Sequence, residues 1–453
     1  MDYRRPALLV TTLGSFLIPF MGSSVNIALP TIGKEFSMNP ILLSWITVSY
    51  VLTSAMFLVP FGRIGDIHGR KRVFLYGFVI YTVSSVFSAI APSPLFLIAS
   101  RVLNGIGASM TFSTGVAILI SVYPPEERGK VLGINVAAVY SGLSCGPFLG
   151  GLLTYYLGWR SIFVMNIPLG ALIVILTIWK LKGEWTEAKG ERFDVIGSLL
   201  LSVALMATMY GFSQLPGIRG ISFVLLGVLG IFALIKWELR TETPLFNIDL
   251  FGKNKVFAFS NLAALINYSA TFAVGFLMSL YLQFIKGMTP QEAGIILVAQ
   301  PIVQALFSPL AGKLSDRLEP RVVASIGMAF TALGLLFFSF LSQEATTLFI
   351  ISILMLLGFG FALFSSPNTN AVMSSVEKKF YGVASGTLGT MRATGMMFSM
   401  GMVMVIFAIY MGQTQITPAY YALFLRSAKT AFAISAGLCV GGVFASFSRG
   451  RVR

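Results

Sequence analysis

Apolar residues run through the chain in long blocks that short polar segments interrupt. A helix needs roughly 20 apolar residues to cross about 30 Å of hydrocarbon, and fourteen blocks of that size fit the sequence. The breaks between them carry turn-forming residues, for example Pro92-Ser93-Pro94 and Pro216-Gly217. The predicted spans are 7–29, 41–61, 73–91, 95–121, 131–155, 160–181, 195–213, 219–237, 256–283, 291–311, 322–341, 346–370, 381–410 and 428–447.

These blocks predict an all-α membrane protein. Composition supports this, because 56% of the 453 residues are hydrophobic and 11% are charged, whereas soluble domains carry about 25% charged residues. The first block is long enough to span and has no small-residue cleavage site after it, so we interpret it as a retained helix rather than a signal peptide. No connection is long enough to hold a soluble domain.

Lys and Arg are distributed unequally between alternate connections. If the N-terminus is cytoplasmic, the cytoplasmic segments hold 24 of them and the outer segments hold six, while Arg101 and Arg392 lie within spans. Short cytoplasmic loops are the ones enriched in basic residues. The bias therefore predicts cytoplasmic termini, and it explains the net charge of +15 without a nucleic-acid partner.

The chain also repeats itself. The pair Gly105 and Gly107 recurs as Gly358 and Gly360, which is 253 residues later. Spans 1–6 and 9–14 are therefore predicted to be two six-helix bundles, with spans 7 and 8 inserted as a pair. The predicted domains are 1–182, 183–255 and 256–453. Duplicated halves are typical of transporters that rock around a site at the membrane midplane, and we expect the inserted pair to lie outside the central cavity.

Several classes of chemistry are poorly supported. His68 is the single histidine, and Cys145 and Cys439 lie inside apolar blocks without a CxxC or HExxH spacing. Ligands for a protein-held zinc or iron site are therefore almost lacking. The sequence also offers no paired membrane aspartates or Ser-His pair for an intramembrane hydrolase. We expect neither an enzyme nor a cofactor.

The loop between spans 2 and 3 reads Gly-Arg-Ile-Gly-Asp-Ile-His-Gly-Arg-Lys-Arg over residues 62–72. By charge alone it is an ordinary cytoplasmic loop with glycines for a tight turn. The full string resembles the loop signature of the major facilitator superfamily. The residues at the family's positions are Gly62, Asp66, Gly69, Arg70 and Arg72, with Asp316 in a degenerate second copy. The resemblance implies that this loop holds the two halves together on the cytoplasmic side when the protein faces outward.

Spans 4 and 5 carry two further family strings. In span 5, Gly142, Gly146, Pro147, Gly150 and Gly151 follow the order of the antiporter signature of drug exporters in this superfamily. Taken alone, this spacing would mean only close helix packing. Span 4 holds Arg101, which resembles the family's arginine associated with proton coupling, although Asn104 stands where that motif usually has Gln. The alternative for Arg101 is a structural role, in which it bonds backbone carbonyls or a nearby Tyr or Asn.

Further strings cover most of the chain and resemble the fourteen-helix drug:proton antiporter branch. They include Val25 to Pro30, Phe193-Asp194-Val-Ile-Gly197, Pro244-Leu245-Phe246 and the segment from Ser366 to Met373. The resemblance implies a multi-pass exporter of the cell membrane that moves hydrophobic or amphipathic small molecules by alternating access. It also implies proton coupling. We expect the partners to be the substrate, protons and membrane lipids, and we expect a monomer.

One departure from that branch concerns charge. The branch commonly has an aspartate in span 1 where this chain has Met21, and none of the 17 acidic residues falls at a predicted mid-membrane position. A buried dication would then lack a counter-ion. Coupling either runs through helix-end groups such as Asp66 or differs from that of the branch, and an exporter or flippase of lipids or organic anions is the rival of the same fold. Weak transport of dications is expected, with Met21→Asp shifting preference toward cations.

The polar residues left inside the spans are candidates for the wall of a central cavity. Each of them alone could equally form an interhelical hydrogen bond. They are Ser23, Asn26, Asn104, Tyr140, Asn261, Tyr268, Gln300, Gln304 and Arg392. The candidates for coupling and gating are Asp66, Arg70, Arg72, Arg101, Gly146, Pro147 and Asp316, and Asp66 is expected to reach the start of span 13, around Phe380 to Val383, in the outward-facing state.

Overall fold

A computed structural model describes residues 3–241, 244–246, 248–377 and 381–450, with the side chains of residues 125, 126, 249, 316, 381 and 382 outside the description. The described residues form helices and connecting segments. The α-helices are α1 Arg4–Glu35, α2 Pro40–His68, α3 Arg70–Ala89, α4 Pro94–Val122, α5 Pro125–Leu157, α6 Arg160–Trp179, α7 Val195–Gln214, α8 Ile218–Glu238, α9 Ile248–Lys253, α10 Lys255–Thr271, α11 Ala273–Leu280, α12 Pro290–Leu297, α13 Ala299–Arg317, α14 Pro320–Phe338, α15 Thr347–Ser374, α16 Tyr381–Tyr410 and α17 Tyr421–Ser448.

Fourteen spans are long and apolar enough to cross a membrane, which confirms the predicted number and the all-helical class. The ninth span consists of α10, α11 and the π-helical turn Tyr281–Ile285, and the tenth consists of α12 and α13. The last span begins at Pro418, ten residues before its predicted start at 428. Arg426 and Lys429 interrupt the apolar pattern there, although a helix can continue through them at the edge of a bilayer.

The helix starts explain why the connections are so short. Thr289 caps α12 in a capping box with Glu292, and Pro290 occupies the first helical turn. Ser93 caps α4, and Pro94 occupies its first turn, but no capping box forms there. A capping hydroxyl satisfies free N–H groups, and proline tolerates the first turn because it has no N–H to leave unpaired. A helix can therefore begin within a few residues of the previous one.

The second half repeats the packing of the first. In the first half α3 packs against α4 and α6, and α2 packs against α4; in the second, α14 packs against α15 and α17, and α13 packs against α15. Equivalent glycines allow this. A Cβ on Gly107 would lie 2.6 Å from the carbonyl oxygen of Gly77, and a Cβ on Gly360 would lie 2.8 Å from that of Gly327. The sequence repeat is thus a repeat of close helix contacts.

The inserted helices α7 and α8 form a hairpin in which Gly227 packs on Thr208. Helix α7 also packs on α2 and α16, where the two halves meet. Tyr210 on α7 is 42% exposed and Leu226 on α8 is 49% exposed. These apolar side chains cover an outer surface of the span region, as lipid-facing residues do.

Helices of alternating direction give the molecule two ends. We call the end that carries Arg4 and Arg449 the termini face and the end that carries the α1–α2 and α11–α12 connections the opposite face. The halves meet where α2 packs on α16, where α5 packs on α12 and α13, and where α1 packs on α11.

Candidate functional site

Tyr140 on α5 and Ser365 on α15 are bonded across the two halves, with 3.3 Å between their hydroxyl oxygens. Both side chains lie on helix segments far from either face. Ser365 lies one helical turn after Phe361, whose ring meets the ring of Tyr268 edge to face at 5.3 Å. The contact therefore joins an N-half hydroxyl to an aromatic pair of the C-half.

Arg392 on α16 places its guanidinium 5.7 Å from the ring centre of Tyr268. It also donates a 2.6 Å hydrogen bond to the Thr369 hydroxyl, while its Nε is buried without a partner. No ion pair in the described part of the chain includes Arg392. A half-buried cation with an unused donor is suited to binding an anionic or hydrogen-bond-accepting group.

An open apolar pocket of about 290 Å³ is lined by residues that precede Tyr268 and Arg392 in the chain. Leu265 precedes Tyr268 by three residues on α10, and Met391 precedes Arg392 on α16. The pocket is lined by Phe251, Ala258, Phe259, Leu262, Leu265 and Met391. Apolar walls beside a few polar groups are typical of small-molecule sites, and methionine and phenylalanine adapt to ligands of different shape.

Arg101 lies inside the first half and is 2% exposed. Its Nε donates to the backbone oxygen of Ile46 at 3.3 Å, a terminal nitrogen donates to Asn104 Oδ1 at 2.6 Å, and the guanidinium lies 4.4 Å from the ring centre of Tyr50. Asn104 in turn donates to the hydroxyl of Ser84. An arginine at this depth costs roughly 2.5–3.5 kcal/mol to insert, and these polar partners offset part of that cost.

The loop of residues 62–72 forms an ion-pair network at the termini face. Arg70 is buried and binds Asp66 and Glu187, each at 2.7 Å. It also donates to the hydroxyl of Ser121 at 2.5 Å. The loop is thereby fixed to the segment that follows α6.

Arg72 is exposed and pairs more loosely, at 3.6 Å, with Glu184. The side chain of Asp316 and most of the segment proposed to receive Asp66, residues 380–382, lie outside the described side chains. In this conformation Asp66 binds Arg70 within its own half. Its predicted role across the halves therefore stays a prediction about a different state.

The two halves are sealed at the opposite face by hydrogen bonds to helix α1. Pro30 has no N–H, so the carbonyl of Asn26, four residues earlier, loses its helical donor. The hydroxyl of Ser279 donates to this carbonyl at 2.7 Å, and the amide of Gln283 donates to the carbonyl of Ile27 at 2.9 Å. The amide of Gln415 adds a bond to the carbonyl of Ser37 at 2.8 Å.

Small residues bring the backbones together at the same face. A Cβ on Gly294 of α12 would collide with the carbonyl oxygen of Pro147, and a Cβ on Gly151 would lie 2.5 Å from the carbonyl oxygen of Pro290. On the other side of α5, a Cβ on Gly146 would collide with the hydroxyl of Ser23. The glycine-rich string of span 5 therefore packs α5 between α1 and α12.

The structure brings only part of the predicted cavity wall together. Tyr140, Tyr268 and Arg392 lie near one another, and Asn26 contributes to the seal. Asn104 and Asn261 are buried within their own halves, where Asn104 binds Arg101 and the amide of Asn261 donates to the Phe257 carbonyl at 2.9 Å. These two side chains do not line a cavity between the halves in this conformation, because each donates its hydrogen bonds to groups of its own bundle.

The remaining candidates lie elsewhere. The Ser23 hydroxyl donates to the Pro19 carbonyl at 2.9 Å, Gln304 is buried, and the Gln300 carbonyl faces Gly358. Met21 is 1% exposed, and the Tyr81 hydroxyl lies 2.9 Å from its sulfur. Met21 is thus packed inside the first half in this conformation, and its predicted effect on charge preference stays a prediction.

Sequence reasoning missed Ser279 and Gln283 as the donors that seal the opposite face. The proline of the Val25 to Pro30 string was a usable signal, since it marks a carbonyl that needs an external donor. It could not reveal which helix supplies the donor. That information comes only from the packing of α1 on α11.

The sequence of this chain is similar to those of known transporters. The family model described as Major Facilitator Superfamily matches residues 11–260 and 260–451. The riboflavin transporter RibZ of Clostridioides difficile is 29% identical over 439 residues, covering 96% of this chain and 95% of that protein. The multidrug resistance protein Stp of Mycobacterium tuberculosis is 32% identical, covering 90% of this chain and 76% of that protein. The cephamycin export protein CmcT of Amycolatopsis lactamdurans is 30% identical, covering 88% and 84%.

Solved structures agree on the fold. The chain superposes with a TM-score of 0.68 and 18% identity on a bacterial homolog of the human lysosomal transporter Spinster, crystallised in an inward-facing and unoccupied conformation. That match covers 99% of this chain and 97% of the other. At this level of identity the likeness concerns the fold alone.

Proposed function

Since this chain belongs to the major facilitator superfamily, we propose that it is a secondary exporter that moves hydrophobic or amphipathic small molecules out of the cell by alternating access. The observation that carries the proposal is the cluster of Tyr140, Tyr268 and Arg392 beside an apolar pocket. It combines an apolar surface with one cation and two hydroxyl groups at the junction of the halves. Relatives named for multidrug resistance and for cephamycin export support the direction of transport.

The termini face is cytoplasmic in this proposal, which the Lys and Arg bias of 24 to six supports. The outer gate is then the sealed opposite face. All side-chain hydrogen bonds that join the two halves among the described residues lie at that face, apart from the Tyr140–Ser365 contact. The halves are residues 1–182 and 256–453, with residues 183–255 as the inserted pair, and they act together in one monomer.

A transport cycle follows from these contacts. Substrate enters from the cytoplasmic side or the inner leaflet and occupies the apolar pocket, with a polar group against Arg392. The halves then rock, the bonds of Ser279 and Gln283 to α1 break, and the loop of residues 62–72 closes the cytoplasmic side. An ion gradient must drive the return, and the proton gradient is the driver we propose.

The substrate class is neutral or anionic. Arg101 is buried inside the first half and Arg392 is half-buried beside the Tyr140–Ser365 contact between the halves, and no ion pair in the described ranges neutralises either of them. A cationic substrate would be desolvated without a counter-ion, at a cost of several kcal/mol per charge. The same observation favours the second candidate function, export or flipping of lipids or organic anions.

Transport in proteoliposomes tests both functions. The purified protein is reconstituted, a pH gradient is imposed, and the uptake of neutral, anionic, monocationic and dicationic dyes of similar size is compared. A fluorescent anionic phospholipid in the same vesicles tests lipid movement. Accumulation of the neutral and anionic dyes that an uncoupler abolishes supports the proposal, whereas movement of the lipid alone favours the flippase. Equal transport of the dication and its neutral analogue would contradict the proposed charge preference.

A further inference from the structure

The strings Phe193-Asp194-Val-Ile-Gly197 and Pro244-Leu245-Phe246 play no part in the transport cycle, yet the structure brings them together at the termini face. Asp194 caps α7 and accepts a hydrogen bond from the Gly197 backbone N–H at 2.9 Å. Glu238 ends α8 and accepts a hydrogen bond from the Phe246 backbone N–H at 3.1 Å. The two carboxyl groups face the same small space.

Gly197 provides that space. A Cβ at this position would lie 2.9 Å from Glu238 Oε1 and would collide with Asp194 Oδ2. Glycine therefore lets an oxygen of each carboxyl group converge on one point. Any other residue would have to displace at least one of these oxygens.

The donors around the two carboxyl groups are unequal. Asp194 accepts from Gly197 and from the Trp237 indole N–H, at 3.1 and 3.2 Å to its two oxygens. Glu238 uses Oε2 for Phe246, whereas its Oε1 is buried with no hydrogen-bond partner. The Glu238 residue is only 4% exposed. A buried carboxylate oxygen without a donor is costly.

In the described structure no cation forms a hydrogen bond with Glu238 Oε1. The charged or titratable groups on the neighbouring elements are Arg192, Lys236 and Arg240 beside the pair, Arg63, Asp66 and His68 at the nearby end of α2, Lys253 on α9 and Arg392 on α16. The ion pairs found in the described ranges include neither Asp194 nor Glu238: Arg63 pairs with Glu191, Asp66 pairs with Arg70, and Arg192 and Lys253 have interactions of their own. The described residues also hold no group of three or more His, Cys, Asp and Glu that could bind a metal ion.

We propose that Asp194 and Glu238 share one bound proton, carried on Glu238 Oε1 and directed at Asp194 Oδ2. The proton supplies the missing donor and removes the repulsion between two adjacent carboxylates. The neutral Glu238 keeps Oε2 free to hold the Phe246 N–H. The site is therefore a proton-dependent connection between the inserted pair and the segment that leads into the second half, and it is independent of the transported substrate.

The proposal fixes how stability depends on pH. A proton that the folded protein binds more tightly than the unfolded chain stabilises the fold at lower pH, and this stabilisation is lost as the pH rises and Glu238 releases the proton. Glu238→Gln mimics the neutral form and keeps an amide donor at the same place. This variant should fold and should lack the pH-dependent loss.

Infrared spectroscopy and thermal unfolding of the purified full chain in lipid nanodiscs test the site. The wild type should show the carbonyl stretch of a protonated carboxyl group at neutral pH, and raising the pH should remove it and lower the unfolding temperature by several degrees. Glu238→Gln should lose this band and flatten the pH dependence, whereas Glu344→Gln, which alters an exposed loop carboxylate, should behave as wild type. Gly197→Ala should also lose the band, because its Cβ separates the carboxyl groups.

Three results would overturn the proposal. A wild-type protein without the protonated band at neutral pH has no such proton. A band that persists in Glu238→Gln belongs to another residue. An unfolding temperature that depends on sodium concentration, with no protonated band, assigns the site to a metal cation instead. If Glu238→Gln does not fold, the neutral form is not the one that the structure needs, and the proposal also fails.

Discussion

The hydroxyl oxygens of Tyr140 and Ser365 lie 3.3 Å apart, although the residues are separated by 225 positions in the chain. This is the one side-chain hydrogen bond between the halves, among the described residues, that lies away from the opposite face. A substrate that bridges the halves near Arg392 must pass beside this bond.

Arg392→Gln should selectively weaken transport of anionic substrates. The guanidinium lies over Tyr268 and has an unused Nε donor, so the variant loses a charge-assisted hydrogen bond worth about 1.5–3 kcal/mol, or roughly a ten- to hundredfold rise in apparent KM. Initial rates of dye uptake against concentration measure this effect. Arg426→Gln, which alters an exposed arginine at the opposite face, is the control. An equal loss for neutral and anionic dyes would mean that Arg392 is structural.

Gly294→Ala should block the sealed conformation of the opposite face. Its Cβ collides with the backbone oxygen of Pro147, and backbone cannot move away as a side chain can, so overpacking should cost about 1–3 kcal/mol. We expect most transport to be lost and a cysteine placed near Ser279 to become accessible to a membrane-impermeant reagent from that side. Gly437→Ala, where nothing lies within 4 Å, should keep wild-type transport and accessibility. A fully active Gly294→Ala protein would contradict the packing account.

Asp66→Asn should impair export severalfold while the protein inserts and folds normally. Arg70 keeps Glu187 at 2.7 Å, so the buried guanidinium retains one carboxylate in the conformation described. The loss should appear only when the loop must bind the second half. Disulfide trapping between Asp66→Cys and Val383→Cys during turnover measures that approach, with Arg426→Gln, which alters an exposed arginine at the opposite face, as the control in the transport assay. No trapping in any state would rule out the predicted contact with the start of α16.

Met21→Asp should destabilise the protein. Met21 is almost fully buried against Tyr81, so a carboxylate there is desolvated at a cost of several kcal/mol unless it is protonated. The measurements are the thermal unfolding temperature and the ratio of dication to neutral dye uptake. A higher ratio with unchanged stability would mean that position 21 reaches the substrate during the cycle.

The inserted pair should contribute nothing to the cavity. Tyr210 and Leu226 are about half exposed on the outer surface. Cysteines at either position should therefore react with a lipid-soluble maleimide and not with a water-soluble one added to either side. Protection of these cysteines by transported substrate would contradict the arrangement.

The sequence was sufficient for the number of spans and for the repeat, because both depend on long-range composition and on spacing. It also identified Arg101 and Arg392 as cations within spans, since two charges stand out in an apolar block. It could not tell which way Asn104 or Asn261 points, because a span that is apolar on all sides carries no periodic signal for the buried face. Asn104 and Asn261 were therefore predicted to line a cavity, whereas both are buried inside their bundles.

Contacts between distant loops were also beyond the sequence. The 62–72 string resembled a known signature, but nothing in it pointed to Glu187 as the second partner of Arg70. The same holds for Asp194 and Glu238, because each sits at the end of a different helix. Such contacts depend on how α7 and α8 pack, and the pairing of helix ends is not encoded in any local pattern.

Three bonds of the seal at the opposite face are chemically one-sided, whereas the fourth joins the side chains of Asn39 and Gln413. The acceptors of the three bonds are the main-chain carbonyls of Asn26, Ile27 and Ser37, while their donors are the side chains of Ser279, Gln283 and Gln415. Replacing a side chain on the acceptor side leaves the acceptor atom in place, so a mutational scan of those three positions would overlook the latch. Natural selection can adjust these three bonds through the donors or through Pro30, which exposes the first carbonyl, and these few positions are where variants with altered gating kinetics should arise.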